Sequence, residues 1–189
     1  MKWPICALLC LVNIGCINRI VPPRDVAQPV TIYLLDLGKS SSLVLPTREG
    51  HMVRYAYGNW NWYALGHNGF FDAISALFFV NSATLARREL PGPLDEKHVR
   101  QQVGVDIQYI YPLQVDRRNV DCLRTCLDEV FQRHKSTMIF NRDDNFYFVR
   151  LGRTYSGWHN SNVVMSQWLE VLGAKVNGWP VYSAWRIEK

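Results

Sequence analysis

Residues 155–173 read Tyr-Ser-Gly-Trp-His-Asn-Ser-Asn-Val-Val-Met-Ser-Gln-Trp-Leu-Glu-Val-Leu-Gly. Val164, Trp168 and Leu172 recur at four-residue spacing, which predicts a helix with one apolar face. Gly173 follows the last of them and supplies a stop signal. This segment therefore predicts a helix whose first turn is preceded by small polar residues.

The start of this predicted helix carries Asn160, Ser161 and Asn162. Unpaired backbone N–H groups and the positive end of the helix dipole converge at such a point, so a nucleophile can be activated and an oxyanion held there. Ser and Asn are also the usual residues that cap helices. Capping is the favoured interpretation of the local pattern, and Ser161 is the candidate nucleophile if the site is catalytic.

The amino-terminal residues 1–15 combine one lysine with a short apolar run, which is typical of a secretory signal. The run ends in Ile-Gly-Cys, so Cys16 is the candidate lipid-bearing residue of a lipoprotein. An ordinary cleaved signal and an uncleaved anchor are the alternatives. Residues 16–29 are rich in proline and predict a lipid-anchored tether, and residues 30–189 predict a single domain. Each alternative exports the domain from the cytoplasm, and the favoured lipoprotein interpretation gives a membrane-anchored location.

The charge distribution and the cysteines exclude several classes of function. The 21 Lys and Arg residues are dispersed among 16 Asp and Glu residues, so no basic stripe suited to nucleic acid is present. Cys122 and Cys126 lie one turn apart on a predicted helix over residues 119–134, where packing is the simplest role for both. No set of Cys and His residues with zinc spacing is present, and we predict neither a metal site nor a cofactor.

Alternating apolar residues and turn signals predict the remaining elements, which give an α+β fold with a small antiparallel sheet packed on helices. The predicted strands cover residues 30–37, 42–45, 52–57, 108–113, 137–141 and 145–151, with a last strand-like stretch over residues 179–187. A buried helix is predicted over residues 70–80, and residues 87–93 are predicted to be a loop.

Three stretches resemble one family of small bacterial lipoproteins, the DUF2459 type often found near urease genes. Residues 37–46 resemble its Gly-Trp-His-Thr-Gly motif followed by a Leu-Val-Leu-Pro strand, and residues 57–60 resemble its Gly-Trp-Gly-Asp region. Residues 160–162 are similar to its Asn-Cys-Asn segment. The family in turn resembles circularly permuted papain-like domains of the NlpC/P60 type, so the resemblance implies that fold, with a His on an early strand meeting a Cys at a helix start.

The chain departs from this family at both presumed catalytic positions. The histidine position falls on Ser40 and the cysteine position on Ser161. A serine without a neighbouring base has neither an accessible thiolate nor a proton shuttle. The resemblance therefore implies a papain-like cleft that has lost its thiol chemistry.

Three histidines are candidate bases for an alternative, serine-dependent mechanism: His159, His67 and His51. His159 lies only two residues before Ser161, whereas partners in such a pair normally come from separate elements. His67 and His51 lie in predicted loops beside strands. For all three, a surface histidine is the simpler interpretation.

An alternating aromatic set is predicted to lie on one face of a strand, where it either packs in the core or forms the rim of a cleft. We name Tyr57, Trp60, Trp62 and the cap residue Asn160 as candidate ligand-binding residues. The leading hypothesis is a non-catalytic cell-envelope protein whose cleft binds peptidoglycan, glycan or acyl material. The alternatives are a serine-dependent hydrolase or acyltransferase, and a purely structural lipoprotein with a filled cleft.

Overall fold

The computed structural model describes residues 17–38, 40–65, 81–180 and 183–188. The predicted signal at residues 1–15, the lipidation site Cys16, the helix at residues 70–80 and the candidate base His67 lie outside the described residues. The described strands and helices, in chain order, are β1 (Asn18–Val21), β2 (Pro29–Asp36), β3 (Ser41–Pro46), β4 (Met52–Asn59), a π-helical turn (Trp60–Ala64), β5 (Asn81–Leu90), α1 (Glu96–Val103), β6 (Tyr109–Asp116), α2 (Arg117–Arg133), a 3₁₀ turn (Lys135–Thr137), β7 (Ile139–Asn141), β8 (Phe146–Tyr155), α3 (Ser161–Val171), β9 (Lys175–Asn177) and β10 (Trp185–Ile187).

The main sheet has seven strands in the order β6-β2-β3-β4-β5-β8-β7, and every neighbouring pair is antiparallel. Successive side chains of a strand point to opposite faces of the sheet, as β8 shows. Phe146 and Phe148 pack in a cluster on one face, and Val149 and Leu151 pack in the main core on the other. The mixture of helices with antiparallel strands confirms the predicted α+β class, although the sheet is larger than expected.

The helices α2 and α3 cover one face of this sheet, and their apolar faces complete the main core. From α2 this core receives Val120, Leu123, Leu127 and Phe131. Trp168 and Leu169 are among the residues that α3 contributes. The opposite face is covered in part by α1, through Val99 and Val103. The structure thus confirms the two helices that the period of 3.6 residues predicted near residues 119–134 and 163–172.

A second sheet of three strands, in the order β10-β1-β9, includes part of the predicted tether. In β1, Asn18 pairs with Trp185 of β10, and Arg19 pairs with Asn177 of β9. Ile20 is fully buried in the main core. The folded region therefore includes residues 18–21, because Ile20 of this short strand contributes to the core. The sequence had predicted that residues 30–189 form the core alone.

Two further differences from the sequence predictions concern residues 81–103. The strand β5 continues through Arg87 to Leu90, where a loop was predicted, because Arg87 pairs with Asp128 of α2. The helix α1 was not predicted, since only two of its eight residues are buried.

None of the helices in the described part of the chain has the length and apolar character that a membrane span requires.

Candidate functional site

The helix α3 begins at Ser161 and is capped by Asn160. The side-chain oxygen of Asn160 accepts hydrogen bonds from the backbone N–H groups of Asn162 at 2.9 Å and Val163 at 3.0 Å. The N–H of Val164 donates to the Asn160 carbonyl oxygen at 3.1 Å. This geometry confirms the capping interpretation and places the candidate ligand residue Asn160 in a structural role.

Ser161 is held against Tyr155, the last residue of β8. Burial raises the pKa of Tyr155, and the neighbouring hydroxyl and backbone N–H of Ser161 oppose that rise. Ser161 itself is only 3% exposed. A buried phenol therefore lies beside the N–H group that would stabilise an oxyanion at this helix start.

Ser40, the other position carried over from the resemblance, lies beside Tyr63. The pKa of Tyr63 is raised chiefly by burial, Tyr155 raises it further, and the Ser40 side chain opposes the rise. The ring of Tyr63 lies directly over Gly58, where a Cβ atom would sit 2.4 Å from the ring. A tyrosine thus lies beside each of the two serines at the positions carried over from the resemblance.

A buried polar network, named here the Asp36 network, lies beside this helix start. The Ser183 hydroxyl donates to Asp36 Oδ1 at 2.5 Å and lies 3.0 Å from the hydroxyl of Ser41. The Ser41 oxygen accepts a hydrogen bond from Trp185 Nε1 at 2.7 Å, and the Ser41 hydroxyl donates to Asn162 Oδ1 at 3.2 Å. The network joins β2, β3, α3 and the carboxyl-terminal strand. Sequence reasoning missed it, and the only signal was an aspartate that ends an apolar run.

The two described candidate histidines contact groups other than Ser161. The ring of His159 packs edge-on against Tyr57, with centroids 5.7 Å apart. His51 precedes β4 and accepts a hydrogen bond from the Gly92 N–H. Since a strand rises about 3.3 Å per residue, His51 lies about 20 Å along β4 from Tyr57. Among the described residues, no hydrogen bond joins a histidine to Ser161.

The candidate aromatic residues do not share one face, which corrects the prediction. Tyr57 lies in the main core under α3, whereas Trp60 packs on the opposite face of the sheet with Ala86 and Phe148. The chain leaves the strand after Asn59, whose side chain accepts from the Trp62 N–H at 3.1 Å and begins the π-helical turn. Trp60 and Trp62 therefore lie away from the groove that Tyr57 lines.

That groove, named here the α2–α3 groove, has a volume of about 450 Å³ and opens between α2, α3 and the sheet. Its walls are apolar, and Arg133, His134, Arg153 and His159 stand at its edge without an acidic lining residue. A wider depression of about 660 Å³ lies beside Arg48, whose guanidinium is already paired with Asp121 at 3.0 Å. Apolar walls with a few polar groups are typical of ligand sites, so the groove is the candidate binding site.

The described residues contain no cluster of three or more His, Cys, Asp and Glu side chains able to hold a metal ion. Cys122 and Cys126 are both free and exposed. Comparisons of the chain with protein-family models, with curated proteins and with solved structures give no match.

Proposed function

We propose that this chain is an exported, lipid-anchored protein of the cell envelope that binds a ligand and catalyses no reaction. The proposal includes the permuted papain-like fold of the DUF2459 type, with Ser40 and Ser161 in place of the histidine and the cysteine. The ligand comes from envelope material, which comprises peptidoglycan, other glycans and acyl chains. The α2–α3 groove is its site.

The observation that carries the proposal is the arrangement at the start of α3. The Asn160 side chain accepts from the N–H groups of Asn162 and Val163, and the buried phenol of Tyr155 lies beside Ser161. An oxyanion hole requires free donors aimed at the reacting oxygen. A serine nucleophile requires a base and access to the substrate. Ser161 is only 3% exposed, and no described histidine hydrogen-bonds with it, which supports a site without catalysis.

We expect the purified protein to hydrolyse neither peptidoglycan fragments nor nitrophenyl esters above the uncatalysed rate, and Ser161→Ala to leave that result unchanged. Loss of the serine hydroxyl removes a polar group beside the buried phenol of Tyr155, so the free energy of unfolding should fall by no more than about 1 kcal/mol. Chromogenic and mass-spectrometric assays measure the first result, and urea unfolding measures the second.

Ser166→Ala is the matched control, because Ser166 lies five residues later on the same helix and its hydroxyl donates to the Val163 carbonyl at 2.7 Å. Turnover by the wild type that survives in Ser166→Ala and disappears in Ser161→Ala would overturn the proposal. That outcome would establish the serine-dependent hydrolase instead.

The membrane anchor is supported by exposed apolar residues near the point where residues 1–16 join the fold. Trp158 and Trp179 are 76% and 57% exposed, and their rings stack with centroids 5.6 Å apart. Gly178 lies against the backbone of Ile17, which is itself exposed. Tryptophan favours the interface between lipid and water. This tryptophan pair therefore faces the bilayer in the proposed arrangement.

We expect the full chain in vesicles that contain brominated phospholipid to show strong quenching of tryptophan fluorescence. In a Trp3→Phe background, the double variant Trp158→Ala and Trp179→Ala should lose most of this quenching, because the exposed pair reaches the lipid. Trp168→Phe, which alters a buried tryptophan of α3, should retain it. Equal quenching in the double variant and its parent would contradict the proposed orientation.

A further inference from the structure

The walls of the α2–α3 groove suit an alkyl chain. Apolar side chains from α2, α3, β5 and β8 line it, namely Leu85, Leu127, Val130, Leu151, Val164 and Trp168. A volume of about 450 Å³ falls within the range of pockets that hold small molecules. Burial of each methylene group of a ligand in such a site contributes about 0.8 kcal/mol.

The edge of the groove suits an anion. Arg133 and Arg153 are exposed residues that line it, and neither forms an ion pair with another described residue. His134 uses Nδ1 to contact the Val130 carbonyl, so its other ring nitrogen is available. No Asp or Glu is among the lining residues. The charges at the edge are thus of one sign and favour a negative partner.

One lining residue of the groove, Tyr57, carries a hydroxyl without a described hydrogen-bond partner. Tyr57 is only 7% exposed, it lines the groove, and its hydroxyl has no hydrogen-bond partner among the described residues. Arg153 is near enough to lower the pKa of this phenol, which burial raises to about 12. Buried hydroxyls normally have a partner. A ligand acceptor held by Tyr57 and Arg153 would complete the site.

We propose that the α2–α3 groove binds a single acyl chain with an anionic head group, held at the head by Tyr57 and Arg153. This inference rests on the proposed binding function and names the ligand class for it. Carboxylates and phosphates share the required chemistry, because both accept charge-assisted hydrogen bonds from arginine and tyrosine. A glycan ligand would instead require polar side chains along the walls.

Calorimetric titration of the full chain with sodium laurate, dodecyl phosphate and dodecyl maltoside, each below its micelle concentration, tests the proposal. We expect both anions to bind at least about tenfold more tightly than the neutral maltoside. Tighter binding of laurate would identify a fatty acid site, and tighter binding of dodecyl phosphate would identify a site for a lysophospholipid. Either order supports an anionic head group.

Tyr57→Phe and Arg153→Gln should each weaken laurate binding about tenfold and leave maltoside binding unchanged. Tyr57→Phe should not lower the resistance of the protein to urea, since the hydroxyl that it removes has no partner. Arg150→Gln is the matched control, because Arg150 lies on the same strand but does not line the groove. It should bind laurate as the wild type does.

The two exposed cysteines of α2 give an independent measurement. Cys126 lines the groove, whereas Cys122 does not. Laurate should slow the reaction of maleimide with Cys126 and leave the reaction at Cys122 unchanged. Trypsin cleaves after Arg124, so mass spectrometry separates the two sites on different peptides.

Equal binding of laurate and dodecyl maltoside, or unprotected Cys126 with no measurable binding, would overturn the inference. These failures are distinct from failure of the proposed function. An inert protein that does not bind laurate contradicts only the ligand class. A protein that hydrolyses esters through Ser161 and still binds laurate contradicts only the absence of catalysis.

Discussion

Asp36→Ala is expected to lower the free energy of unfolding by about 3 kcal/mol. The Asp36 carboxylate is buried and accepts hydrogen bonds from the Ser183 hydroxyl at 2.5 Å and the Gly38 N–H at 2.8 Å. Truncation leaves both donors without this acceptor, and hydrogen bonds to a charged group each contribute about 1.5–3 kcal/mol. Urea unfolding, followed by circular dichroism, measures the change.

A local measurement separates this effect from a general loss of stability. Ser183 links Asp36 to Ser41, which holds the indole of Trp185 in β10. Tryptic cleavage after Arg186, an exposed residue of β10, should therefore become faster in Asp36→Ala. Asp106→Ala, which alters an exposed aspartate, is the control and should change neither measurement. A loss below about 0.5 kcal/mol for Asp36→Ala would contradict a stabilising Asp36 network.

The sequence predicted elements wherever local pattern and tertiary environment agree. Alternating apolar residues located β2, β3 and β4, and the helical period located α2 and α3. β5 was not predicted, because Arg87 and Arg88 resemble a charged loop. In the structure, Arg87 pairs with Asp128, and the guanidinium of Arg88 lies 5.4 Å from the centroid of the Phe140 ring. These partners lie far away in the chain, so no local pattern reveals them.

From the sequence, only the helix start and its cap could be predicted at the candidate site. The run of small polar residues identified the helix start and its cap at Asn160, which are local features. The contact between Ser161 and Tyr155 joins two elements in space, and so does the groove between α2 and α3. The sequence named Tyr57 as a candidate ligand-binding residue and left core packing as an alternative, whereas its burial and its place in the groove depend on tertiary packing. Sequence periodicity carries no information about such contacts.

The second large effect is expected at alkaline pH, where four tyrosines with raised pKa values should lower the stability of the protein. Burial raises the pKa of Tyr55, Tyr57, Tyr63 and Tyr155 in the folded state, in the case of Tyr57 to about 12. In the unfolded chain each phenol titrates near pH 10. Below that pH both states hold the proton and stability is unaffected. Above it the unfolded state releases its protons first, so each tyrosine lowers the free energy of unfolding, by up to about 1.4 kcal/mol per pH unit.

Urea unfolding from about pH 9 to about pH 11, with tyrosinate absorbance as a second signal, measures this loss. Lysines of the unfolded chain also lose their protons at about pH 10.4. Single variants therefore isolate the tyrosines better than the wild-type slope does. Tyr155→Phe should make the slope less steep, because burial raises the pKa of this phenol, whereas Tyr109→Phe, at an exposed position, should not change it. An unchanged slope in Tyr155→Phe would mean that this phenol is not buried beside Ser161. The proposal of an inactive helix start would then lose the tyrosine that lies beside the Ser161 N–H.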